Sequence, residues 1–326
     1  MARQSSFHQA QRGEDGYMRD SFAVRFRKKS LKILKGYQLY LLIFPAFLFF
    51  LVFCYFPMYG IQIAFKDFVA TKGIWGSEWV GFKHFIRLFE SPNFLLLLKN
   101  TLGISIYSLI VGFPMPILLA LLLNEVRDGP FKKIVQTVTY APNFISVVVL
   151  VGMLQSFFST NTGIVNLILA NFGVEPTAWL SNQSYFKSMY VWSGVWQGTG
   201  WGSIIYLAKL AGIDPQLYEA ATIDGATKFQ KMIHVSIPGI VPTMTIMFIL
   251  NSGSIMNVGY EKIYLMQNPL VLQTSEVIST YVYKVGLVNA QYSFSTAVGL
   301  LNSVVNLILL TFVNFVSSKL GDTILW

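Results

Sequence analysis

The chain has 326 residues, 54% of them hydrophobic and only 12% charged, with a net charge of +9. Ordinary soluble domains carry about 25% charged residues, so this chain lacks the polar coat of a soluble protein, and much of its surface is expected to face lipid. The basic residues crowd beside apolar runs, which argues against nucleic acid as a partner, and the single cysteine, Cys54, excludes an intramolecular disulfide and a cysteine-based metal site.

Residues 1–36 carry nine Lys and Arg side chains. This stretch is too long and polar for the leading region of a signal peptide, and no A-x-A-like site follows the first apolar run, so the first span is expected to be retained. A spanning helix needs about 20 mostly apolar residues. Six segments qualify: Tyr37–Phe65, Leu95–Leu123, Ile134–Phe158, Tyr185–Leu210, Ile237–Met256 and Ser295–Val316. The fold class they predict is an all-α polytopic membrane protein with six transmembrane helices. Between the first two, Trp79, Phe82, Phe85, Ile86 and Phe89 recur at helical spacing. They predict a short amphipathic helix, either lying on the outer membrane face or packed on the spans. Pro45, Pro57, Pro114, Pro116 and Pro142 fall inside spans, where each removes a backbone donor and the freed carbonyls need partners from neighbouring helices or a cavity.

Lys and Arg set the orientation. Besides the N-terminal nine, Arg127, Lys132 and Lys133 follow span two, Lys209, Lys228 and Lys231 flank the link from span four to span five, and Lys319 follows span six. The opposite side carries Lys66, Lys72, Lys83, Arg87, Lys262 and Lys284. Both termini are therefore expected to be cytoplasmic. The organisation expected is a basic N-terminal segment (1–36), a transmembrane domain (37–318) and a C-terminal tail (319–326).

The link between spans four and five is the most informative stretch. Asp214 followed by Pro215 is a helix start, with a side-chain cap and then proline in the first turn. Leu217, Ala220 and Ala221 share one face, and Asp224-Gly225 ends the helix because glycine accepts a left-handed turn. A second short helix is expected over Ala226–Val235, with Pro238 starting span five. The small alanines would let another protein approach the backbone, and Glu219 would offer a charge to a partner's arginine. An ordinary loop hairpin would read the same way.

Here a resemblance becomes specific. Glu219-Ala220-Ala221, three residues, Gly225, nine residues and Val235-Ser236-Ile237-Pro238 resemble the EAA loop of ABC importer permeases, E-A-A-x3-G-x9-I-x-L-P, with Val235 and Ile237 as conservative departures. Asp224-Gly225-Ala226 is similar to the carbohydrate-importer branch. So are the runs from Trp201 to Leu207, Glu261 to Leu270 and Ser275 to Lys284, and near the start Phe65-Lys66-Asp67-Phe68 and Trp79-Val80-Gly81. The resemblance covers roughly residues 37–318 and includes maltose-importer and alginate- or pectin-oligosaccharide-importer permeases. It implies the type I ABC importer transmembrane fold in a bacterial cell membrane. It makes the loop at 212–238 the element that couples to an ATPase, through Glu219, Ala220, Ala221, Asp224, Gly225, Ala226 and Pro238. The implied partners are a second homologous permease subunit, two ABC ATPase subunits, an extracellular or periplasmic solute-binding protein, an oligosaccharide substrate and membrane lipid.

No Gly-Lys dipeptide occurs in the chain, so it carries no G-x-x-x-x-G-K-[ST] phosphate loop. ATP and Mg²⁺ are expected on the partner ATPases, with no cofactor or metal here. His8, His84 and His234 show no metal spacing and are expected at the surface or at helix ends. A membrane-embedded enzyme would need an intramembrane acid–base or metal cluster, which the spans lack. A sugar path needs hydrogen-bonding groups and aromatic faces. The candidates are Trp192, Trp196, Gln197, Thr199 and Trp201 in span four, Asn251, Ser252 and Ser254 in span five with Asn257 and Tyr260 just beyond it, and Asn302 and Asn306 in span six. Intramembrane polar groups line cavities or tie helices together, so each residue also has a packing role open to it. The alternative cargoes for such a permease are a phosphodiester, a peptide or an ion.

Overall fold

The computed structural model describes residues 37–320. The basic segment expected at 1–36 lies outside the described residues, as does the expected tail except for Lys319 and Leu320. The chain divides into two units, between Ile61 and Gln62.

The described residues of the first unit, 37–61, are helical. Helix α1 (Tyr37–Phe49) contains Pro45, and a π-helical turn over Phe50–Tyr55 follows it. Pro57 sits in the first turn of the next helical segment, Phe56–Met58, where a missing backbone donor costs little.

In the second unit, β1 (Lys66–Asp67) pairs antiparallel with β2 (Glu78–Trp79), Lys66 opposite Trp79. Helix α2 (Lys83–Glu90) follows. It is shorter than the aromatic spacing predicts: Trp79 is in β2 and Phe82 is the N-cap, because Gly81, at φ +60°, separates hairpin from helix. His84 and Leu88, one turn apart, are buried, while Phe82, Ile86 and Phe89 are exposed. His84 lies in the first turn of α2, and its burial corrects the surface position that was one of the two expected for it. Its Nε2 lies 3.0 Å from Asp67 Oδ1, and Lys83 donates to Asp67 Oδ2 at 2.5 Å. The Lys83 hydrogen bond, against the opposing effect of burial, holds the Asp67 carboxyl below its ordinary range.

Helices α3 (Phe94–Gly112) and α4 (Pro114–Glu125) form one apolar stretch of 32 residues, interrupted at Phe113 where Pro114 begins a new turn. The third expected span is not straight. Helix α5 (Pro130–Tyr140), the 3-10 turn Ala141–Phe144 and α6 (Val147–Phe157) meet with a bend of 102°. Pro142 withholds a donor at the turn, and Ser146 then caps α6 by accepting from the Val149 N–H at 3.3 Å. Gln197 donates to the Ile145 carbonyl at 2.8 Å, satisfying an acceptor that the bend leaves open.

Helix α7 (Gln183–Ala211) packs on α3, α4 and α5. At Gly200 a side chain would overlap the Thr139 carbonyl, so the absence of Cβ permits that approach. Helix α8 (Pro215–Ile223) leads through a turn to α9 (Lys228–Lys231), a π turn over Met232–Ser236, and α10 (Ile237–Gly253). The separate helix expected at Ala226–Val235 is thus the base of a continuous 26-residue helix, Lys228–Gly253. The π turn lies directly before Pro238, where the regular hydrogen-bond ladder loses a donor. Helices α11 (Tyr260–Met266) and α12 (Ile278–Tyr283) lie between α10 and the long α13 (Tyr292–Leu320).

Among the described residues, four helical segments are long and apolar enough to cross a membrane, or five if the bent pair is one span. Helix α7 has the length, at 29 residues, but Gly194, Gln197, Gly198, Thr199 and Gly200 dilute its hydropathy. Three apolar clusters hold the unit together. One joins Ile117 and Leu121 of α4 to Tyr206 and Leu210 of α7 and Ile240 of α10. Another joins Ile104, Val151, Phe186 and Ile263. The third joins Leu88, Leu97, Ile278 and Phe294.

Candidate functional site

The loop after α7 is built as its residues dictate. Asp214 Oδ1 accepts from the Gln216 N–H at 2.9 Å, and Pro215 occupies the first turn of α8. Gly225 adopts φ +75°, a conformation disfavoured for other residues. Thr227 and Gln230 form a reciprocal capping box that starts α9. Two further bonds tie the loop down. The Tyr218 and Ser236 hydroxyls are 2.9 Å apart, and Lys231 Nζ donates to Thr222 Oγ1 at 3.0 Å.

The loop presents an outward face. Leu217 and Phe229 are exposed, and Ile223 keeps 87% of its surface. Glu219, Ala220, Asp224, Gly225 and Pro238 are exposed, and Ala221 and Ala226 are partly so. Glu219 forms no ion pair among the described residues. An exposed isoleucine beside an unpaired carboxylate and small alanines is a surface ready for a protein partner.

A cavity of about 330 Å³ with a mixed polar and apolar lining lies between α3, α4, α7, α10 and the segment that follows α10. Ser105, Ser108, Tyr190, Asn251, Ser254 and Asn257 supply its polar groups. Of the residues expected on a sugar path, Asn251, Ser254 and Asn257 line it. Asn302 and Asn306 stand behind Asn257, donating to its Oδ1 at 3.1 and 3.0 Å. Asn306 Oδ1 in turn accepts from the Met256 N–H at 3.0 Å. The other candidates lie elsewhere. Trp192 donates to the Tyr107 hydroxyl at 3.0 Å, Trp201 meets Phe144 edge-on, and Trp196 is about half exposed. Gln197 serves the bend at Ile145, and Tyr260 lines a second cavity.

Tyr190 is held from behind by α11. Lys262 Nζ lies 4.7 Å from its ring centre and donates to its carbonyl at 2.9 Å. Lys262 is buried with no carboxylate partner among the described residues, and burial lowers its pKa to about 8.

Comparison with known proteins identifies this architecture. Residues 112–322 match the family model of the binding-protein-dependent transport system inner membrane component. The chain is 44% identical over 305 residues to the polygalacturonan/rhamnogalacturonan transport system permease protein YteP of Bacillus subtilis, covering 92% of this chain and 95% of that one. It is also 44% identical over 281 residues to protein LplB of the same organism, covering 86% and 88%. The chain belongs to this family of transport permeases. Among solved structures, it superposes with a TM-score of 0.83 on a chain of a bacterial alginate ABC transporter in complex with an alginate pentasaccharide-bound periplasmic protein. That match has 41% identity and covers 90% of this chain and 98% of that chain. The permease therefore shares the ABC importer fold.

Ser254, also expected on the sugar path, lines the cavity, whereas sequence reasoning missed Ser105, Ser108 and Tyr190 as cavity groups of this permease. Ser105 and Ser108 sit in an otherwise apolar span, and helical spacing alone leaves open which partner they face.

Proposed function

We propose that this permease is the membrane-spanning subunit of an ATP-driven bacterial importer of oligosaccharides derived from acidic polysaccharides of the pectin or alginate type. A solute-binding protein delivers the oligomer from outside. A second homologous permease completes the transmembrane unit, and two ABC ATPases bind and hydrolyse ATP with Mg²⁺. The chain crosses six times, with the bent pair and α7 both spanning, and the excess of Lys and Arg on one side supports a cytoplasmic position for the termini and the 212–238 loop.

The observation that carries this reading is the 44% identity to a polygalacturonan/rhamnogalacturonan permease along 92% of the chain, which includes the coupling loop. The geometry supplies a mechanism. ATP binding draws the ATPases together, and the loop transmits that motion because Glu219, Ala220, Ala221, Asp224, Gly225 and Ala226 dock in the ATPase while the helix through Pro238 continues into α10. The spans then exchange inward- and outward-facing arrangements, a two-state element biased by nucleotide. Within the membrane, sugar hydroxyls exchange bonds with Asn251, Asn257, Ser105, Ser108 and Ser254. Asn302 keeps a buried side-chain oxygen without a partner among the described residues, a further acceptor beside this path. Trp192 and Trp196, one turn apart and each about half exposed, are assigned to the face of α7 turned toward the partner permease, with Tyr260 at the outer mouth.

Uptake of labelled oligogalacturonate by cells lacking this chain tests the reading. Loss of uptake, restored by the wild-type chain and not by Glu219→Lys, is expected. Unchanged uptake, or loss only of phosphodiester, peptide or ion uptake, contradicts it.

A further inference from the structure

A second cavity, of about 410 Å³, lies between α11, α12 and the start of α13. Tyr260, Tyr283 and Tyr292 supply its aromatic walls, and Ser279, Ser295 and Thr296 its hydroxyls. No charged side chain lines it. The Tyr260 and Tyr283 rings are 4.9 Å apart and tilted by 40°. Tyr264 packs on both from behind, at 5.9 and 5.2 Å, which fixes the orientation of the pair.

The three aliphatic hydroxyls spend their protons internally. Ser279 donates to the Val258 carbonyl, Ser295 to the Val282 carbonyl and Thr296 to the Tyr292 carbonyl. Each oxygen therefore keeps accepting capacity for a donor from outside the chain. One wall is a π-helical turn, Lys284–Val288, and such turns are frequent at functional sites. Gly286 in that turn lies so close to Ser295 that a side chain there would overlap its hydroxyl.

The cavity adjoins the first one. Gly259 lines the first and Tyr260 the second, so consecutive residues separate them. The Tyr260, Tyr283 and Tyr292 rings offer faces for stacking and phenol O–H groups that can donate to a uronate carboxylate, while the three acceptor oxygens can take the ring hydroxyls' protons, so the lining fits an acidic pyranose ring. We infer that the Tyr260–Tyr283–Tyr292 cavity is a second pyranose subsite, holding one ring of an oligosaccharide while another ring occupies the Asn251–Asn257 cavity. This inference rests on the oligosaccharide reading above. Its consequence is a preference for longer oligomers, because only they span both cavities.

The test uses the whole transporter, with its partner permease, ATPases and binding protein, in proteoliposomes. Import of digalacturonate and tetragalacturonate is measured for the wild type, Tyr283→Leu and Tyr283→Phe. The Leu variant is expected to lower the tetramer-to-dimer ratio of kcat/KM about tenfold, the worth of one stacked ring, whereas Phe retains most of it. A second measurement labels Thr296→Cys with a maleimide in a Cys54→Ser background, where bound tetramer is expected to slow labelling. If Tyr283→Leu does not assemble, the labelling decides. Wild-type import with an unchanged ratio, or labelling that the tetramer does not slow, overturns the subsite alone. A wild-type complex that imports neither oligomer overturns the cargo reading with it.

Discussion

The hydroxyl of Tyr218, in α8, lies 2.9 Å from that of Ser236, which is buried at the base of α10. This bond ties the loop proposed to dock on the ATPase to the base of α10. Tyr218→Phe leaves the Ser236 hydroxyl buried without this partner, at a cost of about 1–3 kcal/mol, whereas removing both hydroxyls is close to neutral. Tyr218→Phe is therefore expected to lower the number of substrate molecules imported per ATP hydrolysed. Adding Ser236→Ala should recover part of the folding stability but not the coupling. Simultaneous measurement of uptake and phosphate release checks this.

Glu219→Lys reverses the unpaired charge on the loop, and Gly225→Val places a β-branched residue at φ +75°, where an L side chain costs about 1–2 kcal/mol. Both variants should insert in the membrane and lose the ATPase during purification. Retention of the ATPase in wild-type ratio with normal uptake would count against the loop as the docking element.

Asn306 closes a chain of bonds from α13 through Asn257 to the backbone of Met256. Asn306→Leu strands the Met256 N–H and one bond to Asn257, and should cost about 1–3 kcal/mol. Thermal unfolding of the purified protein is expected to show that loss, with substrate affinity weakened because Asn257 also lines the cavity.

Lys262 links stability to pH. Burial lowers its pKa from 10.5 to about 8, so between those values the unfolded chain binds a proton that the folded chain does not. Stability then rises with pH in that window. The wild type should gain stability from about pH 8 toward pH 10.5. Lys262→Met, which removes a buried charge lacking a carboxylate partner, should be more stable at neutral pH and lose this dependence. Unfolding curves at a series of pH values check both.

Much of this architecture was legible because local chemistry decided it. Asp214, Pro215 and Gly225 each do in the structure what their side chains dictate, so the coupling loop was readable before any packing was known. The 102° bend between α5 and α6 was not, although Pro142 marked its position. A proline states that a donor is missing, and the size of the bend depends on Gln197 reaching across from α7. The tryptophans of α7 lie outside both cavities, a placement the sequence left open for a related reason. Periodicity groups Trp192 with Trp196 but does not say which neighbour that face meets. Asn302 and Asn306 were read as either path or helix tie, and their bonds to Asn257 show the tie.

The central claim is that this chain couples ATP hydrolysis in other subunits to the passage of acidic oligosaccharides. It is tested most directly by the ATP hydrolysis rate of the reconstituted complex as its binding protein is loaded with oligogalacturonate, a peptide, a phosphodiester or an ion. The account predicts stimulation by oligogalacturonate that is lost with Glu219→Lys. Stimulation by one of the other ligands and not by oligogalacturonate would contradict it.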